Sequence, residues 1–447
     1  MLAAFKEVLL PYLVYLTVLL AFVIGLTRRA EVPVFLYAVL APLPTLWYPT
    51  QGLPLGKDTM DLLIVSALIG GWVRRPPGSP AAPQLKFVLL LIGVSYLAVW
   101  NVSLRYGLPI ALTRDNPVLG NWKNYAMMML LYVVVFNAIQ TRQQVQTLTM
   151  IFISVLLFMV WRELSGFVAG ESFSYGRRAN GPFWIVGLNA NHFGAFIAHY
   201  AVFALGMYAV DTHKWRRRLY LLTFAGSLYP LFYSYSRGAY VAVLAALLVL
   251  GLVRWRLLLV LLAIFMFTWT TVLPDSVVDR INTTESEDGD LEESAAMRLV
   301  VWDLAERLFK EHPGFGVGFD GFWYASDGLS LRNTHNYYLQ TAAEQGLIGL
   351  LLLAALFFKG AKSGWRLYRE GDSDFFKAMG LGSVVCVTAV MVTNVFGDRF
   401  SQLELGSYFF MLLGMVDRAR QISQSESAAP PEGEAALAAP AHGAPSA

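Results

Sequence analysis

Arginines in the polar stretches between long apolar segments have the most distinctive chemistry in this chain. Arg177 and Arg178 lie in YGRRANGPF, Arg237 lies in SYSRGAY, Arg298 opens RLVVWDLAERLF, and Arg332 shortly precedes a histidine. A guanidinium binds phosphate oxygens through two parallel hydrogen bonds, which lysine matches less well. These residues therefore suit a phosphate-bearing partner, although each could instead pair with a loop carboxylate or a lipid headgroup. For Arg237 the functional interpretation is favoured, because its turn is too short to be a solvated face.

His335 is one of six histidines and stands where a long polar stretch meets the next apolar segment. Its imidazole could accept a proton from a sugar hydroxyl, which is general-base chemistry near neutral pH. Alternatively it only hydrogen-bonds the start of a helix, and Asn336 and Glu344 could likewise be polar packing residues. The other histidines form no ligand spacing with it, and the single cysteine, Cys386, lies in an apolar run. Neither a metal site nor a disulfide is expected.

The elements that must position these residues are membrane helices. The 447-residue chain is 56% hydrophobic and 15% charged, with a mean hydropathy of +0.51. A soluble domain usually carries roughly a quarter charged residues. The net charge of +3 is spread over many loops, so no nucleic-acid partner is expected. We predict an all-α, polytopic integral membrane protein surrounded by membrane lipids.

Thirteen apolar segments could cross a bilayer, and one merged pair would leave twelve. They are residues 8–26, 32–48, 59–73, 87–104, 122–140, 145–168, 188–210, 218–235, 238–253, 257–273, 338–358, 376–396 and 403–417. The prediction is therefore about 12–13 transmembrane helices.

The distribution of basic residues predicts the orientation. Alternate loops carry the pairs Arg28 with Arg29, Arg74 with Arg75, and Arg254 with Arg256, and the positive-inside rule makes their side cytoplasmic. The opposite loops are then external, which means periplasmic in a Gram-negative cell. These external loops are 49–58, 105–121, 169–187, 236–237, 274–337 and 397–402. The arginines described above lie on the external side, against the usual bias.

The largest external loop, 274–337, is long enough to have its own structure. From Ser294 to Glu311, the apolar residues Met297, Val301, Leu304 and Leu308 share one helical face, which predicts a surface helix. The glycine-rich GFGVGF that follows does not open a helix in a βαβ unit, so nucleotide binding is not expected. We divide the chain into N-terminal transmembrane helices (1–170), a second membrane module (171–420) and a disordered cytoplasmic tail (421–447).

Four segments, in this order, resemble the O-antigen ligase and polymerase superfamily of bacterial membrane glycosyltransferases. They are RRANGPFWIVGLNANHFGAF (177–196), SYSRGAYVA (234–242), RLVVWDLAERLFKEHPGFGVGFDGFW (298–323) and THNYYLQTAAEQGLIGLL (334–351). They make the 171–420 module O-antigen ligase-like, whereas the first 170 residues match only in hydropathy.

The resemblance implies a multi-pass protein of the bacterial inner membrane with its active site facing the periplasm. It implies glycosyl transfer from an undecaprenyl-diphosphate-linked glycan without a metal ion, a cofactor or a nucleotide sugar. The residues implied to hold the donor diphosphate are Arg237, Arg298 and the neighbours Arg177 and Arg178, either of which could fill one position. His335 matches the essential loop histidine and Glu344 matches an acidic position in the next span, with Asn336 and Arg332 beside them in support.

Several activities stay open within and outside this superfamily. We favour a ligase with a lipid A-core acceptor, and the alternative is a repeat-unit polymerase that extends a growing glycan. A protein oligosaccharyltransferase is least favoured, because no additional soluble domain for a protein acceptor is visible. From other classes, the chain could transport a glycolipid or a small anion, or assist envelope-glycan export without catalysis. A transporter should place ionisable residues at mid-membrane.

Overall fold

The computed structural model describes residues 9–170, 172–282, 293–326 and 333–428, and all regular structure in these ranges is helical. In chain order the helices are α1 (Leu10–Thr27), α2 (Glu31–Leu40), α3 (Pro44–Trp47), α4 (Thr59–Val73), α5 (Leu85–Tyr106), α6 (Leu119–Ala138), α7 (Arg142–Gly166), α8 (Ala190–Val210), α9 (Lys214–Tyr233), α10 (Arg237–Val253), α11 (Arg256–Val272), α12 (Asp275–Asn282), α13 (Glu293–Glu311), α14 (Gly321–Ala325), α15 (Tyr337–Glu370), α16 (Asp374–Thr393) and α17 (Leu403–Ala428). Short 3₁₀ turns cover Tyr48–Gly52, Gly56–Asp58 and Gly181–Val186. The predicted all-α, polytopic membrane fold is confirmed.

Six of the described helices are long and apolar enough to cross a bilayer, namely α1, α5, α7, α8, α15 and α16. Two sharply bent pairs would raise the number to eight. One pair is α2 with Pro44–Gly52, bent by 104°, and the other is α11 with α12, bent by 105°. The apolar segment 32–48 is thus two helices rather than one straight span. The total of 12–13 spans stays a prediction, because helices such as α4 and α10 are only 15 and 17 residues long.

Helices α8 and α16 form the centre of the bundle, where most of their residues are buried. They approach closely at two glycines, since a Cβ at Gly206 would lie 2.6 Å from the Cα of Gly382. Small residues allow such backbone contact between membrane helices. At the periphery, α11 buries no residue and Phe267 is 89% exposed. Such an apolar face is suited to lipid rather than to water.

The predicted surface helix exists as α13 and packs over the start of α15. A small separate core joins the two through Val301, Ala305 and Leu308 on α13 and Ala343 on α15. Met297, which the helical periodicity placed on the inner face, is 47% exposed. The buried stripe is rotated from the predicted one and includes Ala305, which belongs to the same small core as Ala343 of α15.

The glycine-rich segment 314–319 covers a kink in α15. Gly346 has φ 62° and ψ −158°, and the amide of Leu347 donates to the carbonyl of Pro313 instead of to its own helix. The carbonyls released by the kink are used as well. Ala343 accepts from the amide of Val317 at 2.9 Å, and Glu344 accepts from the next amide, also at 2.9 Å. The segment therefore holds the loop on the bundle, which is a structural use of its glycines.

Replacing Gly346 by alanine is expected to destabilise the protein by roughly 2–4 kcal/mol. Its backbone conformation is almost restricted to glycine, and a Cβ would lie 2.4 Å from the carbonyl oxygen of Gly314. Gly93→Ala is the matched control, because a Cβ there meets nothing within 4 Å. Thermal unfolding in detergent should show a lower midpoint for Gly346→Ala alone. Equal midpoints for the two variants would contradict this account of the kink.

The last helix, α17, continues beyond Arg420, where the tail was predicted to begin, and ends at Ala428. Ile422 and Ser423 are buried, and Arg142 forms an ion pair with Glu426. These contacts explain why polar residues at this point stay helical. Residues 429–447 lie outside the described part of the chain.

Candidate active site

A cavity of about 360 Å³ lies among α8, α10, α12, α13 and the segment that follows α16. Four arginines line it: Arg237, Arg280, Arg298 and Arg399. We call it the arginine cavity. Among the residues that the structure describes, no aspartate or glutamate lines it. Such concentrated positive charge favours an anionic occupant.

Separate elements bring these arginines together. Arg237 is the first residue of α10, so the positive end of that helix dipole opens onto the cavity. Arg280 on α12 lies over the rings of Phe173 and Tyr175, 4.7 and 5.0 Å from their centroids. Arg298 comes from the second turn of α13. The helices and aromatic rings hold the charges in place before any ligand arrives.

The structure separates the two adjacent arginines. The guanidinium of Arg178 donates to the carbonyl of Ser234 at 2.5 and 2.9 Å and to Oδ1 of Asn191 at 2.6 Å. Because Asn191 lines the arginine cavity, Arg178 contributes its charge from directly behind the wall. Arg177 is exposed and donates to the carbonyl of Val168 instead. Of the pair, only Arg178 belongs to the cluster.

Arg280 and Arg399 were not among the arginines singled out from the sequence. Arg280 lies in the predicted external loop 274–337 and Arg399 in the predicted external loop 397–402, and each is only 6% exposed. The argument used for the other arginines, a basic residue on the side where few are expected, would have found them. What the sequence could not indicate is that they line the same cavity.

The neighbouring positive charges help to lower the pKa of two arginines in connecting segments. Burial and the charge of Arg280 lower the pKa of Arg178 to about 10. Burial also lowers the pKa of Arg399 to about 10, and Arg298 adds to that effect while Asp398 opposes it. Both guanidinium groups stay protonated near neutral pH. The cost of holding them together would be offset by an anion in the cavity.

His335 lies at the edge of this cluster. Its backbone is left-handed, with φ 53°, and its amide donates to the side chain of Asn333. Partial burial lowers the pKa of its imidazole below the ordinary 6.5, and the charges of Arg298 and Arg399 lower it further. The imidazole is therefore neutral at physiological pH, the form that can accept a proton.

A second cavity, of about 870 Å³, reaches the same short segment. Asn333 and Tyr337 line this larger cavity, whereas Trp302 of the arginine cavity donates its indole N–H to the carbonyl of Thr334 at 2.9 Å. The consecutive residues Asp398 and Arg399 also line one cavity each. Residues 333–337, which we call the histidine segment, therefore have contacts with the walls of both cavities.

The three supporting residues have different positions. Asn336 caps α15, because its side-chain oxygen accepts from the amides of Tyr338 and Leu339. Glu344 is 5% exposed, accepts from the side chain of Gln340 at 2.5 Å and lines the larger cavity. Arg332 lies outside the described residues. Asn336 thus has the packing role that the sequence left open, and Glu344 faces away from the arginines.

Comparison with known proteins places part of this architecture in a family. Residues 222–354 match the model of the O-antigen ligase family, Wzy_C. This segment is similar to O-antigen ligase domains. It carries Arg237, Arg280, Arg298 and His335, and it supports the resemblance of the chain to the O-antigen ligase and polymerase superfamily. No curated protein matches the chain.

The O-antigen ligase match and the apolar helices together imply a multi-pass bacterial membrane protein. The match also supports a glycosyltransferase-like role in O-antigen assembly, with a lipid-linked glycan donor and a glycan acceptor in general terms. Of the residues that line the larger cavity, those from 47–51, 117–125, 185–188 and 398–404 lie outside the matched segment.

Proposed function

We propose that the protein is a membrane glycosyltransferase of the O-antigen ligase type. It would transfer a glycan from undecaprenyl diphosphate to a hydroxyl of a lipid A-core acceptor, at the periplasmic face of the inner membrane. The observation that carries the proposal is a cavity lined by four arginines, beside a histidine with a lowered pKa. The O-antigen ligase match includes three of those arginines and the histidine.

The arginines and His335 can supply the charge stabilisation and the base that the proposed reaction needs. The bond between the anomeric carbon and the diphosphate oxygen breaks, and the arginines stabilise the negative charge that develops on the leaving group. The acceptor hydroxyl attacks the anomeric carbon as its proton moves to the neutral imidazole of His335. Direct displacement of this kind inverts the anomeric configuration.

The position of the arginines favours this enzyme over a transporter. Arg178 and Arg399 lie in connecting segments, and Arg237 stands at the first position of its helix. Arg280 and Arg298 belong to α12 and α13, which connect α11 to the glycine-rich segment. A translocation path would instead place ionisable groups near the middle of the spans.

Deletion of the gene followed by analysis of surface glycans tests the proposal. Loss of all O-antigen, with polymer accumulating on the lipid carrier, is the result expected for a ligase. Single repeat units attached to lipid A-core would indicate the polymerase instead. An unchanged envelope with altered uptake of small molecules would overturn the proposal in favour of transport. Complementation with wild-type protein at equal membrane level is the control.

A further inference from the structure

The larger cavity differs from the arginine cavity in charge. Four carboxylates line it: Asp320, Glu344, Asp398 and Glu404. Among the described residues, no lysine, arginine or histidine does so. We call it the acidic cavity. Among the described residues, the charged side chains on the walls of the two cavities are thus of opposite sign.

The remaining polar groups of the acidic cavity are suited to sugar hydroxyls. Its wall carries many side-chain amides: Gln51, Asn121, Asn124, Asn333, Gln340, Gln345 and Gln402. An amide both donates and accepts hydrogen bonds, as a hydroxyl does, so it can satisfy either role of each sugar oxygen. Carboxylates accept from hydroxyl donors in strong, charge-assisted bonds. Such a wall can bind a glycan at many positions.

Aromatic rings supply the complementary apolar surface. Trp47, Tyr48, Trp323 and Tyr324 line the same cavity, and Tyr324 is stacked on Tyr106 with ring centroids 5.5 Å apart. Tryptophan and tyrosine offer a flat apolar face together with a polar edge, which suits ligands that are apolar on one side and wet on the other. A sugar ring, with C–H bonds on its faces and hydroxyls around its edge, is such a ligand.

The burial of Glu404 distinguishes this cavity from a groove that is open to water. It lies at the start of α17, lines the cavity and is only 4% exposed. No other side chain in the described ranges is seen to donate to its carboxylate. Asp398, by contrast, accepts from the hydroxyl of Ser401 at 2.7 Å. The four carboxylates also form no metal site within the described residues. The backbone amide of Glu404 donates to its own carboxylate, which can accept further hydrogen bonds from the hydroxyls of a ligand.

We propose that the acidic cavity holds the acceptor glycan, and that its carboxylates restrict the entering end to uncharged or amino-bearing sugars. This inference rests on the proposed transferase function and specifies its acceptor. Phosphorylated and carboxylated sugars are disfavoured at that end by the charges of Asp320 and Asp398, because like charges facing each other in a desolvated site oppose binding. An acceptor in this cavity meets His335 from the side opposite the donor diphosphate.

Transfer by the purified full-length protein tests the inference directly. The probes are the glycan acceptor extracted from deletion cells and the same glycan with its primary alcohols oxidised to carboxylates. For wild type, the KM for the oxidised glycan should be at least about tenfold higher. At pH 8, where the carboxyl of Glu404 is ionised, Glu404→Gln keeps the shape, removes the charge and should narrow that gap without changing the KM for the lipid-linked donor. Glu306→Gln, on the exposed face of α13 beside Lys310, is the matched control.

Equal use of both glycans, or a change in donor KM alone in Glu404→Gln, would overturn the inference. A binding measurement separates it from the proposed function. Saturation-transfer NMR with His335→Asn protein reports contact with either glycan without turnover. One outcome is that no transfer occurs, while the unoxidised glycan binds and Trp323→Ala weakens that binding. This result would contradict the transferase function and support the glycan site. If transfer occurs while Trp323→Ala and Glu404→Gln leave the acceptor KM unchanged, the site fails and the function stands.

Discussion

Replacing His335 by asparagine is expected to lower glycan transfer by roughly 10²- to 10⁴-fold, the range for loss of a general base. Asparagine tolerates the left-handed backbone at this position, where φ is 53°, so the change removes the base with little added strain. Alanine should lower transfer as severely. The measurement is single-turnover transfer from the lipid-linked donor at equal protein level.

Binding of the donor should survive this change, because the arginine cavity does not include the histidine side chain. A stabilising shift in thermal unfolding on addition of undecaprenyl diphosphate should be similar in wild type and His335→Asn. His213→Ala, an exposed histidine directly before α9, should behave as wild type in both assays. Near-normal transfer by His335→Asn would rule out the role as base.

The pH dependence gives an independent check on the same residue. Partial burial, Arg298 and Arg399 lower the pKa of His335 below 6.5, and the proposed mechanism uses the neutral form. The value of kcat/KM should therefore hold as pH falls to 6.5 and decline only below it. A bound diphosphate offsets the arginine charges, so the acid limb of kcat should lie at higher pH than that of kcat/KM. The reverse order would contradict the assignment.

Replacing Arg399 by alanine is expected to raise the donor KM by roughly 10- to 100-fold, the effect of losing a hydrogen bond to a charged group. Arg399 is 6% exposed, lines the arginine cavity and keeps its proton near neutral pH despite its lowered pKa. Arg399→Lys should recover only part of the loss, because a point charge cannot make two parallel bonds to a phosphate. Steady-state kinetics with varied donor measures both.

Arg307→Ala is the matched control for Arg399→Ala. Arg307 lies on the exposed face of α13 and pairs with Asp303 at 3.2 Å, so Arg307→Ala removes a cation without touching the cavity. It should leave the donor KM unchanged. The stabilising effect of undecaprenyl diphosphate should be reduced in Arg399→Ala and retained in Arg307→Ala. If both variants lose it equally, the effect reflects overall charge and not the cavity.

The sequence predicted the helices and some residues of the arginine cavity for physical reasons that act locally. Apolar runs marked the positions of the helices, and misplaced basic residues marked Arg178, Arg237 and Arg298. Arg280 and Arg399 are basic residues in loops of the same predicted side, so the same argument could have identified them. The buried face of α13 could not be predicted in the same way, because it depends on tertiary packing of residues such as Ala305 against α15.

The acidic cavity could not have been predicted from one sequence. Its lining comes from segments as distant as 47–51, 117–125 and 398–404, and none of these three belongs to the four segments that resemble the superfamily. Trp47 and Tyr48 reach it only because the apolar segment 32–48 is broken by 104°. Charge separation of this kind arises from tertiary packing, which periodicity and composition do not encode.

The adjacent residues Asp398 and Arg399 fix the spacing between one point on the wall of each cavity. One faces the acidic cavity and the other the arginine cavity, yet their Cα atoms are held about 3.8 Å apart by a single peptide unit. Asn394 fixes that unit by accepting from the amides of Arg399 and Phe400, and its carbonyl accepts from Tyr337 of the histidine segment. Helices tilt as the bilayer thins or thickens, but this offset is covalent. The spacing of these two wall residues is therefore set by bond lengths and does not change with membrane thickness.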